Sequence, residues 1–243
     1  MTNNFAIRHH AAIVTNGNSQ ISGTRGALLQ PKNLTCESFP SGTANGALTL
    51  DSNEIQTLAA GTYRYSSVTL NSNSQVRVTG DVTIYVEQSF KLDSNTMFVT
   101  TCGGCNTTIY QQGQGFGTPC GNCSLTIYVD GNNGPSDTPA VDLDSNTVLS
   151  AGNKPDQFAL IITSTNGAQT RDVSFDSNTH LFGTINAPCT KLQLDSNAEL
   201  LGAAIVKEAN LDSNAKIHYD VSLKEQGQVG STVPSLVSWR DLN

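Results

Sequence analysis

Charge is scarce in this 243-residue chain: 14% of residues are Asp, Glu, Lys or Arg, 6% are aromatic, and Trp239 is the single tryptophan. Lys and Arg number 13 against 20 acidic residues, giving a net charge of −7. With no basic cluster to replace phosphate counterions, nucleic acid is not an expected partner. No apolar run approaches the roughly 18 residues of a membrane span. The opening MTNNFAIRHH lacks the apolar stretch of a secretory signal, so the expectation is a cytosolic protein or a chain from which the targeting segment is absent. Helical periodicity never persists for three turns. GxSxG, HExxH and P-loop motifs are missing. The four histidines, His9, His10, His180 and His218, sit where nothing marks a base or ligand. The chain is therefore expected not to be an enzyme.

What is plentiful is Gly, Asn, Ser and Thr, and one phrase made from them. LDSN begins at Leu50, Leu92, Leu143, Leu194 and Leu211, with variants LNSN at Leu70 and FDSN at Phe175. The seven triplets start at Asp51, Asn71, Asp93, Asp144, Asp176, Asp195 and Asp212, with gaps of 20, 22, 51, 32, 19 and 17 residues. A recurring unit of 17–22 residues is the mark of a solenoid, the two long gaps holding extra units or insertions. NGNSQIS at Asn16–Ser22 is a degenerate eighth copy. Apolar residues alternate before each triplet (Val68 and Leu70, Phe90 and Leu92, Val141 and Leu143), the pattern of a strand with one buried face. After it come Val76 and Val78, Leu181, Leu200 and Ile217, often followed by glycine. A further strand phrase reads VTIYV, LTIYV and FALII. The expected fold is all-β: a parallel β-helix with capped ends and an inserted Cys-rich loop, a β-sandwich being the competitor. Its expected parts are an N-terminal coil or cap region at 1–48, the solenoid at 49–220 with the insertion at about 101–124, and a C-terminal cap at 221–243, where Trp239 closes the core.

The triplet's chemistry is first that of a turn. Asp and Asn oxygens bond N–H groups two residues on, and Asn tolerates positive φ. The turn residues are Asp51, Asn53, Asn71, Asn73, Asp93, Asn95, Asp144, Asn146, Asp176, Asn178, Asp195, Asn197, Asp212 and Asn214, and inward-pointing Asn amides would stack as a ladder. Outward carboxylates about 5 Å apart repel by only about 1 kcal/mol in water. Calcium is permitted, most readily near Asp142 and Asp144, but not required, because the glycine-rich nonapeptide of calcium solenoids is missing. Thr positions vary between copies, so no ordered Thr array for ice or glycans is visible.

Four of the six cysteines form CGGC (Cys102, Cys105) and CGNC (Cys120, Cys123), with fourteen residues between the pairs. That spacing suits tetrahedral zinc, and the same thiols suit disulfides in an oxidising compartment. Cys36 and Cys189 remain as a third pair that would tie an early segment to a late coil.

The phrase VTLNSNSQVRVTGDVTIYVEQSFKLDSN, the run LFGTINAPCTKLQLDSNAELLGAAIVKEANLDSNAKIHYD and the ending LVSWRDL together resemble a type IV pilus-associated bacterial surface repeat domain, of MshQ-like and PilX-type pilus assembly proteins. The resemblance runs from about residue 45 to 243. It implies an extracellular or cell-surface, non-enzymatic module for pilus assembly, adhesion or surface structure, with pilus or cell-surface proteins, or further copies of itself, as partners. The double CxxC insert departs from that pattern, and no binding residue carries over. The alternatives are a self-assembling structural filament and a polysaccharide-acting β-helix enzyme.

Overall fold

In the computed structural model the residues described are 6–9, 13–15, 24–27, 35–102, 123–151, 154–165, 170–220 and 223. The expected triplet at Asn16, His10, Cys105, Cys120 and nearly all of the 221–243 cap, Trp239 included, lie outside them. The described chain is a parallel β-solenoid whose strands form one nearly closed, 17-stranded sheet. Among the described elements only Pro155–Gln157, one 3-10 turn, is helical.

Each coil has three faces. The first carries the three-residue strands that precede the triplet: Leu48–Leu50, Val68–Leu70, Phe90–Leu92, Val141–Leu143 and Val173–Phe175 pair in register, followed by Leu192–Leu194 and Ala209–Leu211. The second stacks Ile55–Leu58, Gln75–Val78, Met97–Thr100 and Val148–Ser150, then the first residues of the long strands His180–Leu194 and Glu199–Leu211, and lastly Lys216–Tyr219. The third stacks Gly61–Tyr65, Val82–Val86, Leu125–Asp130 and Phe158–Thr163 beneath the middle of the same two long strands. Phe90 pairs directly with Val141, and Val141 with Val173. The two long gaps are therefore loops added to single coils, not extra coils.

Because the register holds, alternate residues build continuous inward columns. Val68, Leu70, Phe90, Leu92, Ile84, Ile127, Leu160, Phe175 and Leu200 are all fully buried in one core. The first coil ends these columns with amphipathic groups: exposed Gln56 stands under Val76, and half-buried Tyr63 and Tyr65 under Ile84 and Val86. The Tyr63 hydroxyl donates to the Ala59 carbonyl at 2.9 Å. On the third face the inward column holds Phe158 with Gly183 and Gly202 in the next two coils. A Cβ on Gly183 would sit 2.4 Å from the Phe158 ring, and one on Gly202 would sit 1.8 Å from the Gly183 carbonyl oxygen. The glycine after each strand phrase is thus a space requirement of the stack.

The N-terminal residues depart from the expected order. Ile13–Thr15 pairs with Ala209–Leu211, so it lies beyond the seventh coil and not below the first. Stacking obeys complementary strand edges, and the open edge lies at the C-terminal end. Ala6–His9 and Thr24–Ala27 form a separate two-stranded parallel sheet. Residues 35–47 form a strap along the outside of the third face. Cys36 is bonded to Cys189, the Glu37 carbonyl accepts from Ser164 N–H at 2.8 Å, and Phe39 meets Tyr85 edge-on. Arg64 stacks against the Phe39 and Tyr85 rings, pairs with Glu87 at 3.2 Å and donates to the Pro40 carbonyl. Asn45 N–H then donates to the Arg64 carbonyl, and the first coil begins at Leu48. At about 3.3 Å per residue, the thirteen residues 35–47 reach roughly 40 Å, enough to pass six rungs of about 4.8 Å.

Candidate functional site

The repeated triplets form one ridge along the edge between the first and second faces. In every copy the Asn has positive φ, from 59° at Asn178 to 70° at Asn53. Six corners have positive φ only at this third position, the type II pattern; at the last, Ser213 is positive as well. The residue after Asn closes the turn, as when Ala198 N–H donates to the Asp195 carbonyl at 2.7 Å and Thr179 N–H to the Asp176 carbonyl at 3.1 Å. The backbone ladder also continues around the corner. Asp93 N–H donates to the Leu70 carbonyl one coil below, and Asn95 N–H to the Ser145 carbonyl one coil above, both at 2.9 Å.

Two details differ from the sequence expectation. The Asp carboxylate accepts from the N–H one residue on, not two: Ser94, Ser145, Ser177, Ser196 and Ser213 donate to Asp93, Asp144, Asp176, Asp195 and Asp212 at 2.6–2.8 Å. The short link from Asp Cβ to its own following amide fits a corner already turned by Asn. The Asn amides do stack, but on the outside. Asn146 Nδ2 donates to Asn95 Oδ1 at 3.2 Å and Asn197 Nδ2 to Asn178 Oδ1 at 3.3 Å, both solvent-exposed. The inward residue is the next one. Ser74, Thr96, Thr147, Thr179, Ala198 and Ala215 are all buried, with Thr147 Oγ1 donating to Thr179 Oγ1 at 3.2 Å and Thr179 Oγ1 to the Asp144 carbonyl at 3.1 Å. This pillar of small side chains was legible as the S/T/T/T/A/A that follows DSN.

The first coil shows what the ridge needs. Every later Asx N–H donates to a carbonyl in the coil below; no described coil lies below Asp51, and its N–H donates instead to Glu54 Oε2 at 2.8 Å. Glu54 occupies the pillar position and puts a carboxylate where the other copies put Ser, Thr or Ala. As for calcium, the Asp carboxylates are engaged by Ser N–H groups. Asp93 is held below its usual range, first by the Ser94 N–H, against burial, with help from the Ser72 hydroxyl. Asp142 faces Lys91 Nζ at 3.4 Å. Among the described residues no group of three or more His, Cys, Asp or Glu is arranged to hold a metal ion.

The described cysteines form two disulfides, Cys36–Cys189 and Cys102–Cys123, with Cα atoms 5.8 and 6.0 Å apart. The second takes one sulfur from each CxxC and closes the neck of the insertion; sulfurs joined to each other are not thiolate ligands for zinc. Ser124, next to Cys123, donates through N–H and hydroxyl to Asp81 Oδ1 at 2.8 and 3.0 Å, which lowers the Asp81 pKa.

Two clusters went unrecognised in the sequence. Glu199 bridges neighbouring coils, its carboxylate lying 3.3 Å from His180 Nδ1 and 2.8 Å from His218 Nε2. The hydrogen bond with His180 lowers the Glu199 pKa most, burial opposes it, and the charges of His218, His180 and Lys216 add to it. His180, Glu199 and Lys216 each stand two residues after a triplet Asn, so aligning the repeats would have placed them in one column. Arg171, 5% exposed, donates to the carbonyls of Gln88, Asp130 (2.9 Å) and Pro139 (3.3 Å), and burial lowers its pKa. It pins the loop 131–139 to the third face.

Residues 35–226 match a protein family described as a domain of unknown function, DUF7305. The chain belongs to the DUF7305 family. The match opens at the strap, one residue before Cys36, and closes just after the last described coil. The DUF7305 unit here is therefore strap plus seven-triplet solenoid, with both disulfides inside it, and Ile13–Thr15 is an addition from outside the matched span. No curated protein and no solved structure matches the chain.

Proposed function

We propose that this DUF7305 chain is a non-enzymatic β-solenoid exported to an oxidising compartment and displayed at the cell surface, where it serves pilus assembly, adhesion or surface structure. The observation that carries the reading is the Cys36–Cys189 bridge, which locks the strap across the coils. Such a structural disulfide, with a second at the insertion, belongs to secreted or periplasmic proteins and is rare in the reducing cytosol. The resemblance of the repeat phrase and the ending to pilus-associated surface domains supplies the pilus part. The ridge fits a scaffold, because its polar groups bond to one another from coil to coil. No helix among the described residues is long and apolar enough to cross a membrane.

The test is fractionation of the producing bacterium with thiol-trapping of the protein, together with deletion of its gene. Oxidised protein in the periplasmic or surface fraction and loss of pili or adhesion in the deletion strain are expected. Reduced protein in the cytosol would overturn the export reading, and full piliation and adhesion without the gene would overturn the pilus reading.

A further inference from the structure

A solenoid's stability is close to a sum of nearest-neighbour terms, so an end coil, with one neighbour, is the first to peel. In this molecule the strap enters the first coil directly: residue 47 leads into Leu48–Leu50, whose only strand partner among the described residues is Val68–Leu70. A pull on the chain before Cys36 would therefore arrive at the weakest coil if the strap were held only by its hydrogen bonds and the Arg64 cluster. Hydrogen bonds of this kind contribute about 1 kcal/mol each.

The disulfide changes that path. Cys36 is bonded to Cys189, 153 positions later in the sequence, in the irregular stretch that follows the fifth level of the third face. Strand Ile13–Thr15, ahead of Cys36, and strand Lys216–Tyr219, after Cys189, are both laid against Glu199–Leu211 at the far end of the stack. The described strands that flank the bridged stretch on either side thus lie at one end of the stack, and the bridge sits near that end. We propose that Cys36–Cys189 is a force clamp. Tension between the two ends of the chain runs through the sulfurs and bypasses the coils between Leu48 and Asn186, which carry most of the core. Only the outer segments and the last coils stay in the load path. Cys102–Cys123 lies wholly inside the bypassed part and takes no load while the clamp is closed. The proposal concerns mechanics alone and stands whether or not the partner is a pilus.

Single-molecule force spectroscopy of the full chain, held by handles at its two ends, tests it. Reduction with a thiol is expected to add roughly 50 nm of contour length for the 153-residue separation at about 3.4 Å per residue. It should also lower the force of the first event, since peeling can then start at Leu48. Under oxidising conditions the Cys102→Ser/Cys123→Ser variant should give the wild-type trace. Equal total lengths before and after reduction would overturn the clamp. So would a longer oxidised trace in the Cys102→Ser/Cys123→Ser variant, because it would put that segment in the load path. A Cys36→Ser/Cys189→Ser chain provides the clamp-free trace without reductant, shorter than the reduced one by the roughly 7 nm that Cys102–Cys123 still closes, and reduction of the held wild-type molecule tests the clamp should that variant fold poorly.

Discussion

At the residue scale, the ridge depends on seven asparagines in the left-handed region. A side chain larger than glycine costs roughly 1–2 kcal/mol there unless, as with Asn, it bonds locally. Asn146→Ala is expected to destabilise by about 1–2 kcal/mol in urea denaturation, and Asn146→Gly by less, since Gly keeps the φ and loses only the amide ladder. Equal losses for the two would shift the weight from backbone conformation to the ladder. Glu199 makes a prediction about pH. Its folded pKa is lowered below 4.5, so its stabilisation is complete above that value and disappears as pH falls through the lower folded pKa. Glu199→Gln should flatten the acid side of a melting-temperature profile below pH 4.5 relative to wild type; parallel profiles would remove the group from acid stability. The seven Asn positions could be read directly, because a left-handed corner restricts residue type strongly. The outward course of their amides could not, because a turn sequence is the same whichever side faces the core.

At the scale of the element, the strand after each triplet is the unit that must stack without gaps. Gly202 has φ 147°, and any Cβ there meets the carbonyl oxygen of Gly183. Gly202→Ala is expected to cost at least about 2 kcal/mol, from overpacking against backbone that cannot retreat. A thermal shift within error of wild type would show that the coil spacing relaxes. Ala198→Thr is the contrasting substitution. It extends a pillar that already contains Thr147 and Thr179, and it should be much milder than Gly202→Ala. The strand phrases VTIYV and LTIYV announce their own pairing, Ile84 with Ile127 and Tyr85 with Tyr128. Residues 35–47 announce nothing of the kind. They have no period, because the strap crosses the coils: Glu37 meets Ser164, Phe39 meets Tyr85 and Pro40 meets Arg64, each in a different coil.

For the whole molecule, the two ends are treated differently. The C-terminal end is extended by a strand from the beginning of the chain, whereas the first coil is finished by its own side chains: Glu54 on the Asp51 N–H, Gln56 at the end of a core column, Tyr63 and Tyr65 over the others. Stacking another coil there would bury the Glu54 carboxylate, a strong penalty without a cationic partner. Glu54 thus opposes end-to-end growth at this end. Glu54→Thr, which restores the pillar residue, is expected to increase concentration-dependent association in sedimentation velocity. Identical profiles for the variant and wild type at high concentration would deny Glu54 that role.

The sequence by itself determined the coil. Its seven triplets, the period-two apolar flanks and the glycines prescribe corner, inward column and turn, since each is a local requirement of one strand or bend repeated at fixed offset. Tertiary structure alone decided how the coil is closed. Nothing local says that Ile13–Thr15 will pair with Ala209–Leu211, that Cys36 will meet Cys189, or that Glu199 will lie between two histidines. Those contacts join residues far apart along the chain, and they exist because stacking brings an open edge, a strap and three side chains from different coils to the same place.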